Sequence, residues 1–142
     1  MNIENRIKKL PNKVLAELQR KNYAAWKQDS LNNTGFFVIF NGFLDNNYLN
    51  KISGNALKLY IFLGIKADNT TGESYYSIQS MAKYFGKSER TINNWIQELE
   101  KHHLIKRMQF EKNKVSHTFL QTYQAGAKRK KKQEGISLIT TY

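Results

Sequence analysis

The chain contains no cysteine, so disulfides and thiolate zinc sites are excluded and nothing argues for an oxidising compartment. Proline occurs once, at Pro11, so the residue that most strongly interrupts helices is missing from everything that follows. No apolar run approaches the roughly 20 residues needed to cross a bilayer. The segment Met1–Pro11 also lacks the hydrophobic centre of a secretory signal, so the expected location is the cytoplasm, with no membrane partner. Acidic residues are scarce. Eleven Asp plus Glu stand against 23 Lys plus Arg, giving a formal net charge of +12 and pointing to a polyanionic partner. Lysine greatly outnumbers arginine, which favours neutralisation by point charges over planar recognition. With 40% hydrophobic and 13% aromatic residues, the 142-residue chain still has the means to bury a core, and its length suits one domain with appendages.

The densest signal lies between Ser77 and Leu104. Ile78, Met81, Ala82 and Phe85 recur at i, i+3, i+4 and i+7, one stripe of a short helix capped by Ser77. Gly86 can take the left-handed conformation that ends a helix, and Ser88 can cap a second helix running to about His102. On that helix Ile92, Trp95, Ile96 and Leu99 repeat the apolar spacing and leave Arg90, Asn93, Asn94 and Gln97 on the opposite side. A helix, a glycine turn and a second helix in a strongly basic chain make a helix-turn-helix pattern. Arginine can hold guanine O6 and N7 with two hydrogen bonds, and asparagine or glutamine can do the same to adenine N6 and N7. The candidate base-facing set is therefore Ser88, Arg90, Asn93, Asn94 and Gln97, with Lys83 and Lys87 placed for phosphates on either side of the turn.

An ordinary amphipathic helical hairpin would show the same polar face. The continuation favours a reader. Leu104–Phe110 and Val115–Leu120 interleave apolar and polar residues around Glu111–Lys114, the pattern of a β-hairpin with Lys112 and Lys114 at its tip. A basic hairpin after such a helix is a wing, and Arg107, Lys112 and Lys114 are expected on phosphates, adding affinity rather than sequence choice.

From Phe36 to Leu120 the chain resembles the winged helix-turn-helix domains of plasmid and phage proteins from low-GC Gram-positive bacteria, including the N-terminal domains of plasmid replication initiators. The matching pieces are Phe36–Ile39, Ser53–Tyr60, Tyr76–Ser77, Ser88–Ile92 and Glu98–Glu100 leading to Leu104–Ile105. The resemblance implies an α+β, mostly α fold and a double-stranded DNA partner, with control of transcription or replication of a mobile element. It does not choose between repressor and initiator. Such initiators usually carry a second domain, whereas residues 123–142 follow the wing here, which counts against that role.

Around this centre, Pro11 opens a helix over about Asn12–Gln28, with Val14, Leu15, Leu18, Ala25 and Trp26 as a broken stripe, suited to a dimerisation arm or to folding back on the domain. Asp29–Gly35 reads as a polar link, and Phe36–Phe40 as a short buried strand or an extended packing segment. Ser53–Ala67 predicts the central helix, with Leu57, Tyr60, Ile61, Leu63 and Gly64 in the core, and Tyr75–Ser77 a small strand paired with the wing. Lys128, Arg129, Lys130, Lys131 and Lys132 form a cationic run in a flexible tail suited to following a DNA backbone. The expected division is an N-terminal helical arm at 1–34, a winged helix-turn-helix at 35–122 and a basic tail at 123–142. A homodimer is expected because one recognition helix covers only a few base pairs.

Three other classes fit less well. A metal-dependent nicking enzyme needs two metal-binding histidines with one residue between them, but His102 and His103 are adjacent and His117 is alone, so no metal, cofactor or catalytic residue is expected. His102 and His103 fit helix termination instead. The glycines lack phosphate-loop spacing, and no small-molecule substrate is evident. A single-strand or RNA binder would use exposed aromatics, and most aromatics here fall at predicted core positions. A protein-interaction winged helix would direct its charge at an acidic partner.

Overall fold

In the computed structural model of the protein, residues 2–124 are described. The chain divides into two units, residues 1–36 and 37–142. In the first unit, helix α1 spans Ile3–Lys8 and helix α2 spans Asn12–Asp29. Pro11 starts α2 from an extended conformation, its carbonyl accepting from the amides of Val14 and Leu15 at 3.0 Å each. The polar link expected after α2 is instead a π-helical turn, Ser30–Thr34. Polar side chains four apart sustain it: Asn33 Nδ2 donates to Asp29 Oδ1 at 2.6 Å, and Thr34 Oγ1 to the Ser30 carbonyl at 3.1 Å. Helix α2 buries none of its residues.

In the second unit, helices α3 (Gly42–Asp45) and α4 (Tyr48–Lys51) lead to α5 (Gly54–Lys66), strand β1 (Glu73–Ser74), α6 (Ile78–Phe85), α7 (Glu89–Lys101) and strands β2 (Ile105–Met108) and β3 (His117–Leu120). Helices α5, α6 and α7 begin alike. Ser53, Ser77 and Ser88 each hold an extended backbone and accept from the amide three residues on, at 3.1, 3.0 and 3.1 Å. The strands form an antiparallel sheet in the order β1–β3–β2, with Arg107 opposite Thr118 and Lys106 opposite Phe119.

The core is one cluster. Leu59, Leu63, Met81, Ile92, Leu99 and Leu104 are completely enclosed, with Tyr60, Phe43, Ile96 and Ile105 almost so. On α5 the buried residues are Ala56, Leu59, Tyr60, Leu63 and Gly64, whereas Ile61 is exposed and Leu57 only half-buried, correcting the expected stripe. Tertiary packing decided this, because α5 is apolar nearly all round and its periodicity does not single out a face. Gly64 is needed for close approach: a Cβ there would occupy the ring of Phe37.

That contact decides between the two readings of Phe36–Phe40 in favour of a packing segment. No strand forms there. Phe37 alone packs inward, edge-on to Tyr60 with ring centroids 5.7 Å apart, and its neighbours stay exposed. The sheet's first strand also lies two residues before Tyr75–Ser77. Asp68 closes a tight turn, its carboxylate accepting from the amides of Thr70 and Thr71 at 2.8 and 3.2 Å, so pairing starts at Glu73 and ends before the Ser77 cap. Tyr123 packs against Phe43 and Tyr48, and its hydroxyl accepts from the Phe40 amide at 2.7 Å. Thus the chain just past the wing is part of this packing, not tail.

Candidate nucleic-acid interface

The turn between α6 and α7 is set by local chemistry. Gly86 stands at φ +63°, and the Lys87 amide donates back to the Ala82 carbonyl at 3.0 Å, closing α6. Two residues later the Ser88 cap opens α7. The end of α7 uses the same closure: the Leu104 amide reaches the Leu99 carbonyl at 3.0 Å, with His103 in the left-handed region at φ +57°. His103 thus does the geometric work of Gly86, at a steric cost that glycine avoids.

With α7 so placed, Ile92, Trp95, Ile96 and Leu99 enter the core, and Arg90, Asn93, Asn94 and Gln97 are exposed. No carboxylate binds Arg90 among the described residues. Ser88 differs from the other members of the set. Its Oγ accepts from the Thr91 amide and donates to Thr91 Oγ1 at 2.9 Å, so the hydroxyl is already committed to the cap. A second device anchors α7 from its inner side. The Glu98 carboxylate accepts from the Ser53 amide at 2.6 Å and from Ser53 Oγ at 2.9 Å, tying α7 to the start of α5. Glu98 fits the capping role of a carboxylate, but its partner is 45 residues away, and no local pattern announces it.

The cations divide in two. Lys83 and Lys87 are exposed beside the turn, and Lys112 and Lys114 are exposed in the loop joining β2 to β3. Arg107 faces inward, which corrects its placing among the phosphate contacts. Its Nη1 donates to Thr118 Oγ1 at 2.7 Å and to the Tyr76 carbonyl at 3.2 Å, while its amide faces Glu100 Oε2 at 3.5 Å. Burial pulls the guanidinium below its ordinary pKa, partly opposed by the Glu100 charge. Strand alternation explains the error: with Ile105 buried, Arg107 shares its inner face and Lys106 takes the outer one. Lys106 is the β2 cation that the alternation would have selected. Lys128, Arg129, Lys130, Lys131 and Lys132 lie outside the described residues.

Residues 49–105 match a family described as a helix-turn-helix domain, and the paired β2–β3 hairpin follows directly. The second unit has a winged helix-turn-helix fold. Two solved structures are similar to this winged helix-turn-helix fold. One, described as "Structure of Rep-DNA complex", is 14% identical with a TM-score of 0.50 over 81% of this chain and 96% of that one. The other, described as "N-Terminal domain of DNA binding protein", is 14% identical with a TM-score of 0.51 over 78% of this chain and 92% of that one. At that identity the likeness speaks to the fold alone. No curated protein sequence matches the chain.

The winged helix domain also has a groove of about 440 Å³ between α5 and α6, lined by Lys58, Ile61, Phe62, Ile65, Lys66, Tyr84 and Phe85. Its walls are mainly apolar, with Lys58, Lys66 and Tyr84 as the polar groups, and they hold no carboxylate, histidine or serine. Among the described residues no cluster of histidines and carboxylates is arranged to hold a metal, and no helix is long and apolar enough to cross a membrane.

Proposed function

We propose that this domain binds duplex DNA at specific sites, with α7 in the major groove and the wing beside it. The observation that carries the reading is the two-sidedness of α7: four apolar residues fix it in the core, while Arg90, Asn93, Asn94 and Gln97 are exposed on the other side. The fold likeness to a Rep–DNA complex and to the N-terminal domain of a DNA-binding protein supports DNA as the partner. It also favours a replication-related role.

In this reading Arg90, Asn93, Asn94 and Gln97 meet base edges. Ser88 contributes by holding the helix start, and Lys83, Lys87, Lys112 and Lys114 neutralise phosphates. The run from Lys128 to Lys132 adds sequence-independent affinity, with five contacts contributing roughly 4 to the log–log salt slope. The protein acts without catalysis, as a two-fold dimer on paired half-sites about one helical turn apart, controlling transcription or replication of a plasmid- or phage-type element.

Selection of bound sequences from a random duplex library at near-physiological salt tests this. The expected result is an enriched inverted repeat. Tight, salt-sensitive binding with no enriched sequence contradicts site-specific reading.

A further inference from the structure

The outer face of the sheet carries features that duplex reading by α7 does not use. Alternation places Glu73, Lys106, Met108, His117 and Phe119 on this face, opposite the buried side that holds Ile105, Thr118 and Arg107. Just beyond β2, Phe110 folds over it. Its ring lies 4.0 Å from the His117 ring at an interplanar angle of 30°, and 6.1 Å from the Phe119 ring. On the other side Tyr75 meets His117 edge-on at 4.9 Å.

An aromatic cluster that only held the hairpin together would bury its rings, as Phe43 and Tyr60 do in the core. Here the two flanking rings stay open: Phe110 is 60% exposed and Tyr75 59%. They are held in position by His117, whose Nδ1 lies 3.3 Å from Glu73 Oε1. The sequence placed most aromatics in the core, but these two lie outside it.

We propose that this face is a stacking site for unpaired bases of single-stranded DNA, with Phe110 and Tyr75 as the contacting rings. Every base has a π-face, so stacking on aromatic side chains binds strands with little sequence preference. Lys106 on the same face and Lys112 and Lys114 in the adjoining loop supply charge for the strand's phosphates. Two carboxylates lie nearby, Glu73, which is engaged by His117, and the exposed Glu111, so the local balance still favours a polyanion. Protein partners with apolar anchors lack the repeated negative charge that these lysines match.

Lys112 and Lys114 serve both readings, but the two rings stand on the sheet and not on α7, so variants of the rings and of α7 test the two readings independently. Binding of oligodeoxythymidylate and of a random-sequence duplex is measured by fluorescence anisotropy on the full chain, both at the same near-physiological salt concentration. Phe110→Ala and Tyr75→Ala are each expected to weaken strand binding about fivefold to a hundredfold, while duplex affinity changes less than about twofold. Tyr75→Phe, which keeps the ring, is expected to retain strand binding and guards against a folding defect. Arg90→Ala is expected to leave strand binding unchanged, whether or not duplex reading by α7 proves site-specific. Unaltered strand binding in Phe110→Ala and Tyr75→Ala, equal losses on strand and duplex, or no measurable strand binding by the unmodified protein would each overturn the proposal.

Discussion

Helices α2 and α7 both carry an apolar stripe in the sequence, and only α7 buries it. Helix α2 is the longer, at 18 residues against 13, yet has no buried residue, whereas α7 places Ile92, Trp95, Ile96 and Leu99 in the core. Periodicity thus says that a segment is helical and which face is apolar, but not what covers that face. For α7 the cover is nearby in the chain or anchored by a specific contact: α6 comes just before it through the Gly86 turn, and α5 is fastened by Ser53 and Glu98. Nothing comparable encloses the α2 stripe within its own unit. A helix that must present the same polar surface each time needs its other face fixed, and α7 meets that need.

The largest test of this contrast is truncation on each helix. Leu99→Ala or Ile92→Ala is expected to lower stability by about 2–5 kcal/mol, the loss typical of an enclosed aliphatic residue. Trp26→Ala on α2 is expected to change it by less than about 1 kcal/mol, despite removing a larger group that is 63% exposed. Urea denaturation measures both, and similar losses would show that the α2 stripe is as firmly enclosed as that of α7.

The next effect sharpens the comparison within the wing. Arg107→Ala leaves Thr118 Oγ1 and the Tyr76 carbonyl without their donor in a half-buried setting, and is expected to destabilise by about 1–3 kcal/mol. The salt dependence of DNA binding should stay the same, because the Arg107 guanidinium is engaged within the protein by Thr118 and Tyr76. Lys112→Ala is expected to do the reverse: stability within about 0.5 kcal/mol of the parent and a salt slope shallower by about 0.9. A shallower slope in Arg107→Ala would restore it to the phosphate contacts.

A smaller effect compares the two ends of the helical pair. Gly86→Ala is expected to destabilise by about 1–2 kcal/mol, since the left-handed conformation at φ +63° penalises any Cβ. His103→Gly, at φ +57°, is expected to gain up to about 1 kcal/mol for the same reason. Thermal unfolding distinguishes the signs, and a loss in both variants would mean that the His103 side chain contributes more than its conformation costs.

These contrasts also mark what was legible in the residues. The Ser77 cap, the Gly86 stop, the Ser88 cap and the α7 stripe are all local, decided by spacing within a few residues, and they were readable together with the hairpin. Choices made by distant neighbours were not. Leu59 rather than Ile61 is buried because of what packs on α5, and pairing begins at Glu73 because Asp68 closes its turn early. The inward aim of Arg107 and the outward place of Lys106 were available from strand alternation once Ile105 was seen as core. For the candidate site, the outward set on α7 followed from the helical period alone. The exposed rings of Phe110 and Tyr75 did not, because an aromatic residue beside a strand reads as core until the sheet's two faces are told apart.

The most direct test of the central claim is the affinity of Arg90→Ala and Asn94→Ala for a selected site and for random duplex, measured side by side with Lys112→Ala. If α7 reads bases, the two α7 variants lose about 1–3 kcal/mol on the selected site and little on random DNA, while Lys112→Ala weakens both alike. Equal losses on the two DNAs for Arg90→Ala and Asn94→Ala would contradict base reading by this helix.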